Sequence, residues 1–216
     1  LPGKTWLATL VKFTINMKLI HYYSGIFIAL FTGLHILNHL FILHSAERHI
    51  RFMTRARKIY RNRFVETLLL TAVLVQVITG ITLVIEKWSK TEDYFEVIQI
   101  VSGLYLSFFL LVHVSAVLVG RYKLKLDTNL YFGASVMLHW PQNLFFIPYY
   151  SLAIVSFFFH IAAVHKSKME DWVSPSHAAT QAIVIMIVGV FTMLAIITRM
   201  TALKMPPRNP ASPGNL

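Results

Sequence analysis

Ten histidines and no cysteine define the chemistry open to this 216-residue chain. Without thiols there can be no disulfide, thiolate zinc site, cysteine nucleophile or cysteine-held iron–sulfur cluster in it. Five histidines fall inside long apolar runs: His21, His35 and His39 in the first, His113 in the third and His160 in the fourth. Groups that ionise or bind metal are costly inside a bilayer, so such residues mark function by default. Neutral imidazole is also the nitrogen donor that iron takes. The other five, His44, His49, His139, His165 and His177, fall at helix ends or in loops, where a solvated imidazole is ordinary.

Depth sorts the buried five. His35 and His113 each lie about 16 residues past the start of their runs, which at 1.5 Å per residue is roughly two-thirds of the way across. The first and third runs cross in the same direction, so the two imidazoles are level. Two level histidines on different helices are what a bis-histidine haem requires. His21 and His35 differ by about 40° in azimuth and lie roughly 21 Å apart along the helix. Gly25, Thr32 and His39 share that face, where small residues let a flat macrocycle approach the backbone. His39 is expected to support His35 or to face lipid. His160 belongs to the opposite third of the bundle. Level with it, the second run offers Gln76, Thr79 and Gly80 but no histidine. Phe108-Phe109 and Phe157-Phe158-Phe159 read as packing and lipid contact.

The elements that must hold these residues are membrane helices. The chain is 56% hydrophobic and 13% charged, with a mean hydropathy of +0.61. That charge fraction is about half of what a soluble domain carries, which excludes a water-soluble globular enzyme. A bilayer core takes a helix of roughly 20 apolar residues. Five stretches qualify, at 19–43, 64–85, 97–120, 144–165 and 180–198, and Glu66 is the single charged residue among them. Breakers separate them at Lys87–Asp93, at Asp127–Asn129 with Pro141, and at Ser174-Pro175-Ser176. Residues 44–63 read as an amphipathic interfacial helix, with Ile50, Met53, Ile59 and Phe64 set against its arginines. The tail, residues 203–216, is Pro-rich and expected to be disordered. The expectation is one all-α membrane domain over residues 1–216: a bundle of five transmembrane helices with an interfacial helix between the first and second. The chain opens on Leu1, so leading residues are expected to be missing, and no cleavable signal peptide is read.

Lys and Arg outnumber Asp and Glu by 20 to 9, but they lie between apolar runs, which points to topology and anionic lipid rather than nucleic acid. Seven bases fall on the N-terminal side of the bundle, called side A: Lys4, Lys12, Lys18, Lys87, Lys90, Lys166 and Lys168. Thirteen fall on side B: seven between Arg48 and Arg63, then Arg121, Lys123, Lys125, Arg199, Lys204 and Arg208. The positive-inside rule then places side B and the C-terminus in the cytoplasm.

The pattern resembles a known family, the five-helix dihaem cytochrome b membrane subunit of succinate dehydrogenases and fumarate reductases. The resemblance runs over roughly residues 18–200. It rests on Leu19-Ile-His21-Tyr-Tyr-Ser-Gly25 followed by His35, on Arg63-Phe-Val-Glu66 and Gln76-Val-Ile-Thr-Gly80, on Gln99-Ile-Val-Ser-Gly103 followed by His113, and on Phe157-Phe-Phe-His160. It implies that His35 and His113 are the axial iron ligands of one haem b. His160 would be a ligand of a second haem whose partner position falls on Gln76. A carboxamide is a poor iron ligand beside imidazole, so the second site is expected to be empty or to hold a weakly bound, five-coordinate haem. His21 resembles a contact to haem propionates or quinone. The family places its N-terminus in the cytoplasm, opposite to the charge rule here.

The function so implied is that of a membrane anchor in a succinate:quinone or fumarate:quinol oxidoreductase of a bacterial cytoplasmic membrane. Electrons would pass between a partner dehydrogenase and quinone through haem b. Flavoprotein and iron–sulfur subunits would be the partners, and the chain would be an electron-transfer subunit rather than an enzyme by itself. The alternative is a haem-poor or haem-free stand-alone protein of the same scaffold. A channel or transporter has less support, since no charged residue lies deep in a span and no paired broken helices appear.

Overall fold

The computed structural model describes residues 2–88, 91 and 93–205, with side chains from residue 16 onward. Lys90, Arg208 and the tail beyond Met205 lie outside the described residues, as do the side chains of Lys4 and Lys12. Seven helices carry the fold, with no strand among the described residues: α1 (Pro2–Leu40), α2 (Ala46–Tyr60), α3 (Arg63–Lys87), α4 (Tyr94–Leu118), α5 (Leu130–Leu138), α6 (Asn143–Met169) and α7 (Pro175–Thr201). A 3₁₀ turn (Phe41–Leu43) extends α1 and a π turn (Val119–Lys123) extends α4.

Short polar residues start the helices where the chain turns. Ser45 accepts from Arg48 N at 3.2 Å, Asn62 from Phe64 N at 3.0 Å, Asn129 from Tyr131 N at 2.9 Å and Ser174 from His177 N at 3.4 Å. Each satisfies an N–H that the first helical turn leaves without an internal partner. Pro175 follows Ser174 at the first helical position, where its missing N–H costs nothing.

Five helices are long and apolar enough to cross a membrane: Asn16–Leu43, Arg63–Lys87, Tyr94–Lys123, Asn143–Met169 and Pro175–Thr201. Each extends a few residues beyond the purely apolar run. Large apolar side chains such as Leu30, Leu34, Ile78, Ile85, Val101 and Phe191 point outward. A covering of lipid accounts for so much exposed apolar surface.

Three expectations need correction. The segment around Asn129 is not simply a break: it caps α5, a nine-residue helix packed on α6 and α7. The interfacial helix is shorter than residues 44–63. Nor do its apolar residues share one face opposite the arginines, since Met53 is buried beside His49 while Ile59 and Phe64 point outward at 68% and 77% exposure.

Around the bundle, α3 packs on α1 and α4, α6 packs on α4, and α7 packs on α6 and, more lightly, on α1. Among the described residues, no extensive packing joins α1 to α4 or α3 to α6. Tyr105 on α4 donates to the Tyr149 carbonyl of α6 at 2.8 Å, in the turn that follows Pro148.

At side B, Arg121 is paired with Glu66, whose other oxygen accepts from the Tyr122 hydroxyl at 3.0 Å. Both charged side chains are only 16% exposed. Removing one partner would strand the other at the bundle rim. Arg121→Leu should therefore lower stability more than the double variant Glu66→Leu/Arg121→Leu, with a coupling of about 1–2 kcal/mol. Thermal unfolding in detergent of both single variants and the double variant reads this, and simple additivity would count against it.

Candidate functional site

Four histidines from three elements gather towards side B. His35 and His39 come from α1, His113 from α4 and His49 from α2. Each of the two level histidines stands four residues after a phenylalanine, and the helix repeat stacks the rings. Phe31 lies 6.2 Å from His35 at an interplanar angle of 11°, and Phe109 lies 5.0 Å from His113 at 12°. The shared Phe-x-x-x-His spacing is visible in the sequence and went unread there.

His35 and His113 approach across the gap between α1 and α4. Their ring centroids are 6.4 Å apart, with planes inclined at 60°. His35 is exposed although it points into the bundle. Neither nitrogen of His113 has a hydrogen bond among the described residues, and the Tyr150 ring stands 6.3 Å from its imidazole.

His39 Nε2 lies 3.3 Å from His35 Nε2, with the two rings edge to face at 4.7 Å. His39 thus lies against His35, and its Nε2 contacts one of the two ring nitrogens of His35 that iron could take. His49 is the larger surprise. It was expected to be solvated, yet it is 1% exposed, because α2 folds back over the last turns of α1 with His49 and Met53 on its inner face. Its ring stands 5.0 Å from that of His39, and Asn38 Nδ2 donates to its Nε2 at 3.3 Å. Burial, and after it the nearby His35 and Arg57, pushes His49 down to about 4. The ring is therefore neutral at pH 7. Nδ1 of His39, Nδ1 of His49 and Oδ1 of Asn38 are buried without a partner among the described residues.

A second polar group lies towards side A, where α1 meets α3. His21 Nδ1 is 2.8 Å from Thr79 Oγ1, which itself donates to the Val75 carbonyl at 2.7 Å. His21 Nε2 stands 3.1 Å from Gln76 Nε2, and Gln76 Oε1 lies 2.6 Å from Ser24 Oγ. The chain of bonds ties α1 to α3. Gly25 was expected to leave room for a flat ring. A Cβ there would instead stand 3.2 Å from the Gln76 amide nitrogen.

His160 has no hydrogen bond to this group among the described residues. Its Nδ1 donates to the Gln99 carbonyl at 3.0 Å, with Ser102 Oγ at 3.4 Å. A Cβ on Gly103 would lie 3.0 Å from its Cε1. His160 thus packs against α4 and not against the Gln76–Gly80 turn of α3, because α6 lies on α4 and does not reach α3.

The remaining histidines have local partners or face outward. His139 Nδ1 bonds the Ser135 carbonyl, His165 bonds Gln181, His177 bonds Ser174, and His44 is exposed. No group of three or more His, Asp or Glu with metal-holding geometry occurs among the described residues, so the His35/His113 arrangement is a pair and not a metal cage. Comparisons with protein-family models, curated proteins and solved structures gave no match to this chain.

Proposed function

We propose that the chain is a membrane cytochrome b, holding one haem between His35 and His113 as the electron-transfer anchor of a succinate:quinone or fumarate:quinol oxidoreductase. The observation that carries this reading is the 6.4 Å between the two imidazole centroids. Two imidazoles on opposite faces of one iron, each bonded at about 2 Å, place their ring centroids about 6.3 Å apart. The pair also sits between two helices that do not pack extensively on each other, which leaves a planar group room to lie between the rings. The residues present fit the group.

The second histidine set does not. Gln76 is committed to His21 and Ser24, both nitrogens of His21 are bonded, and Nδ1 of His160 is bonded to Gln99. One haem per chain follows from this reading.

Haem b with two axial imidazoles supplies reversible one-electron transfer and leaves no open position for oxygen. The chain's own part is to position and to shield. His35 and His113 would hold the group, Phe31 and Phe109 stack on their imidazoles, and the apolar spans would exclude water. Quinone would enter from the bilayer. Flavin and iron–sulfur chemistry would belong to partner subunits, since this chain has no cysteine for a cluster.

The test is a pyridine haemochrome assay with a reduced-minus-oxidised spectrum on the purified protein. About one haem b per chain is expected. A colourless protein from haem-replete cells would sink the proposal. It would favour the second reading, a haem-free scaffold, which the closed His21–Gln76 network supports.

Orientation belongs to the same proposal. The charge balance puts side B in the cytoplasm, and with no native cysteine single-cysteine labelling is clean. Thr54→Cys on side B should react with an impermeant thiol reagent only in opened cells, and Asp171→Cys on side A in intact ones. The opposite result would invert the bundle.

A further inference from the structure

We propose that the outward face of α2 is a binding surface for anionic phospholipid headgroups at side B. The inference stands apart from the haem reading and rests on how α2 distributes its side chains.

At 100° per residue, Arg48, Arg51, Arg55 and Lys58 fall within an arc of about 80°. His49 and Met53, both buried, lie on the opposite side. The four basic residues are exposed, and none has an ion pair among the described residues. The inward bases are used differently, Arg57 bonding Asp127 at 2.7 Å and Arg61 bonding Thr128 at 3.0 Å. Glu47, at the edge of the arc, faces Arg51 and offsets one charge. Three positive charges remain on a helix of fifteen residues.

Position decides what meets that charge. The first span ends at Leu43 and the second begins at Arg63, so both ends of α2 are held at the membrane boundary. Ile59, beside Arg48 and Arg55 on the wheel, and Phe64 just beyond the helix are the most exposed apolar side chains of this segment. Basic heads interleaved with outward apolar side chains match a headgroup–acyl boundary. A purely aqueous acidic partner would give Ile59 and Phe64 nothing to touch. Each base near an anionic surface contributes roughly a fivefold gain in affinity.

The experiment is lipid retention by the full chain, reconstituted in vesicles of phosphatidylcholine with phosphatidylglycerol and released into detergent for native mass spectrometry. The wild type should retain phosphatidylglycerol in preference to phosphatidylcholine. The variant Arg48→Gln/Arg51→Gln/Arg55→Gln/Lys58→Gln should lose that preference at least about fivefold. A control on side A, Lys18→Gln/Lys168→Gln, should keep it. Should the quadruple variant fail to fold, Arg51→Gln and Arg55→Gln are tested singly, and rising salt must erase the wild-type preference. No preference in the wild type, or a preference unchanged in the variants, overturns the proposal. So does charge-dependent capture of a soluble acidic protein with no lipid preference, which would make that protein the occupant.

Discussion

If the chain holds the proposed haem, His113→Ala is expected to remove its b-type absorption spectrum, and His35→Ala to do the same. Each variant leaves one imidazole facing a gap 6.4 Å wide at the centroids. A single axial ligand cannot keep the iron low-spin, and it gives up one of the two bonds that fix the ring. His160→Ala and His21→Ala should leave the spectrum intact, since neither residue lies beside the His35/His113 pair, and both nitrogens of His21 and Nδ1 of His160 are engaged by Thr79, Gln76 and Gln99. His39→Phe is informative as well. It keeps the bulk beside His35 but deletes the nitrogen 3.3 Å from its Nε2. That contact competes with iron for the same ring nitrogen rather than orienting the ring from its far side, so this variant should keep the low-spin spectrum and bind haem no more weakly than the wild type. Imidazole added to His113→Gly should restore part of the signal. A full spectrum in His113→Ala would refute the ligand assignment even if the protein were red.

The level pair was legible in the sequence because depth in a membrane helix is simple counting, and His35 and His113 stand at equal counts on helices of equal direction. The five spans were legible for the same reason, since hydropathy alone marks them. What surrounds the pair was not. His49 lies 14 residues beyond His35, on a helix whose facing could not be read from polarity. In water, Ile59 and Phe64 would mark the buried side, but at a bilayer rim an apolar side chain is as well placed outward. Helix α5 escaped because a nine-residue apolar stretch is too short to span and carries a break signal, Asn129, that turned out to be its cap. The His21–Gln76 network did leave a trace. His21 and Ser24 on one helix, and Gln76 and Thr79 on the next, repeat a polar spacing of three residues that puts both pairs on single faces. Reading those pairs against each other would have joined His21 to Gln76 before any question of a second haem arose.

Gly189→Ala is expected to be among the most damaging single changes in the chain. The most extensive helix–helix contact joins α6 and α7, where Ala162, Ala163, Ala178 and Ala182 are at most 2% exposed. Small residues let membrane helices approach closely, and van der Waals packing replaces the hydrophobic drive that lipid cannot supply. At the tightest point a Cβ on residue 189 would overlap the Phe158 β-carbon and lie 2.6 Å from its Cγ. A β-carbon is fixed to the backbone and cannot rotate away, so α6 and α7 must separate. The expected loss is about 3 kcal/mol, read as a lower unfolding midpoint in detergent. Gly33→Ala is the matched control, since a Cβ there meets nothing within 4 Å, and it should be neutral or slightly stabilising. The clash also predicts its own suppressor. Phe158→Ala retains the offending β-carbon and should rescue Gly189→Ala poorly, whereas Phe158→Gly should rescue it better despite losing the same ring. If Gly189→Ala melts with Gly33→Ala, or if the two Phe158 variants rescue equally, then α6 and α7 are not held together at this contact.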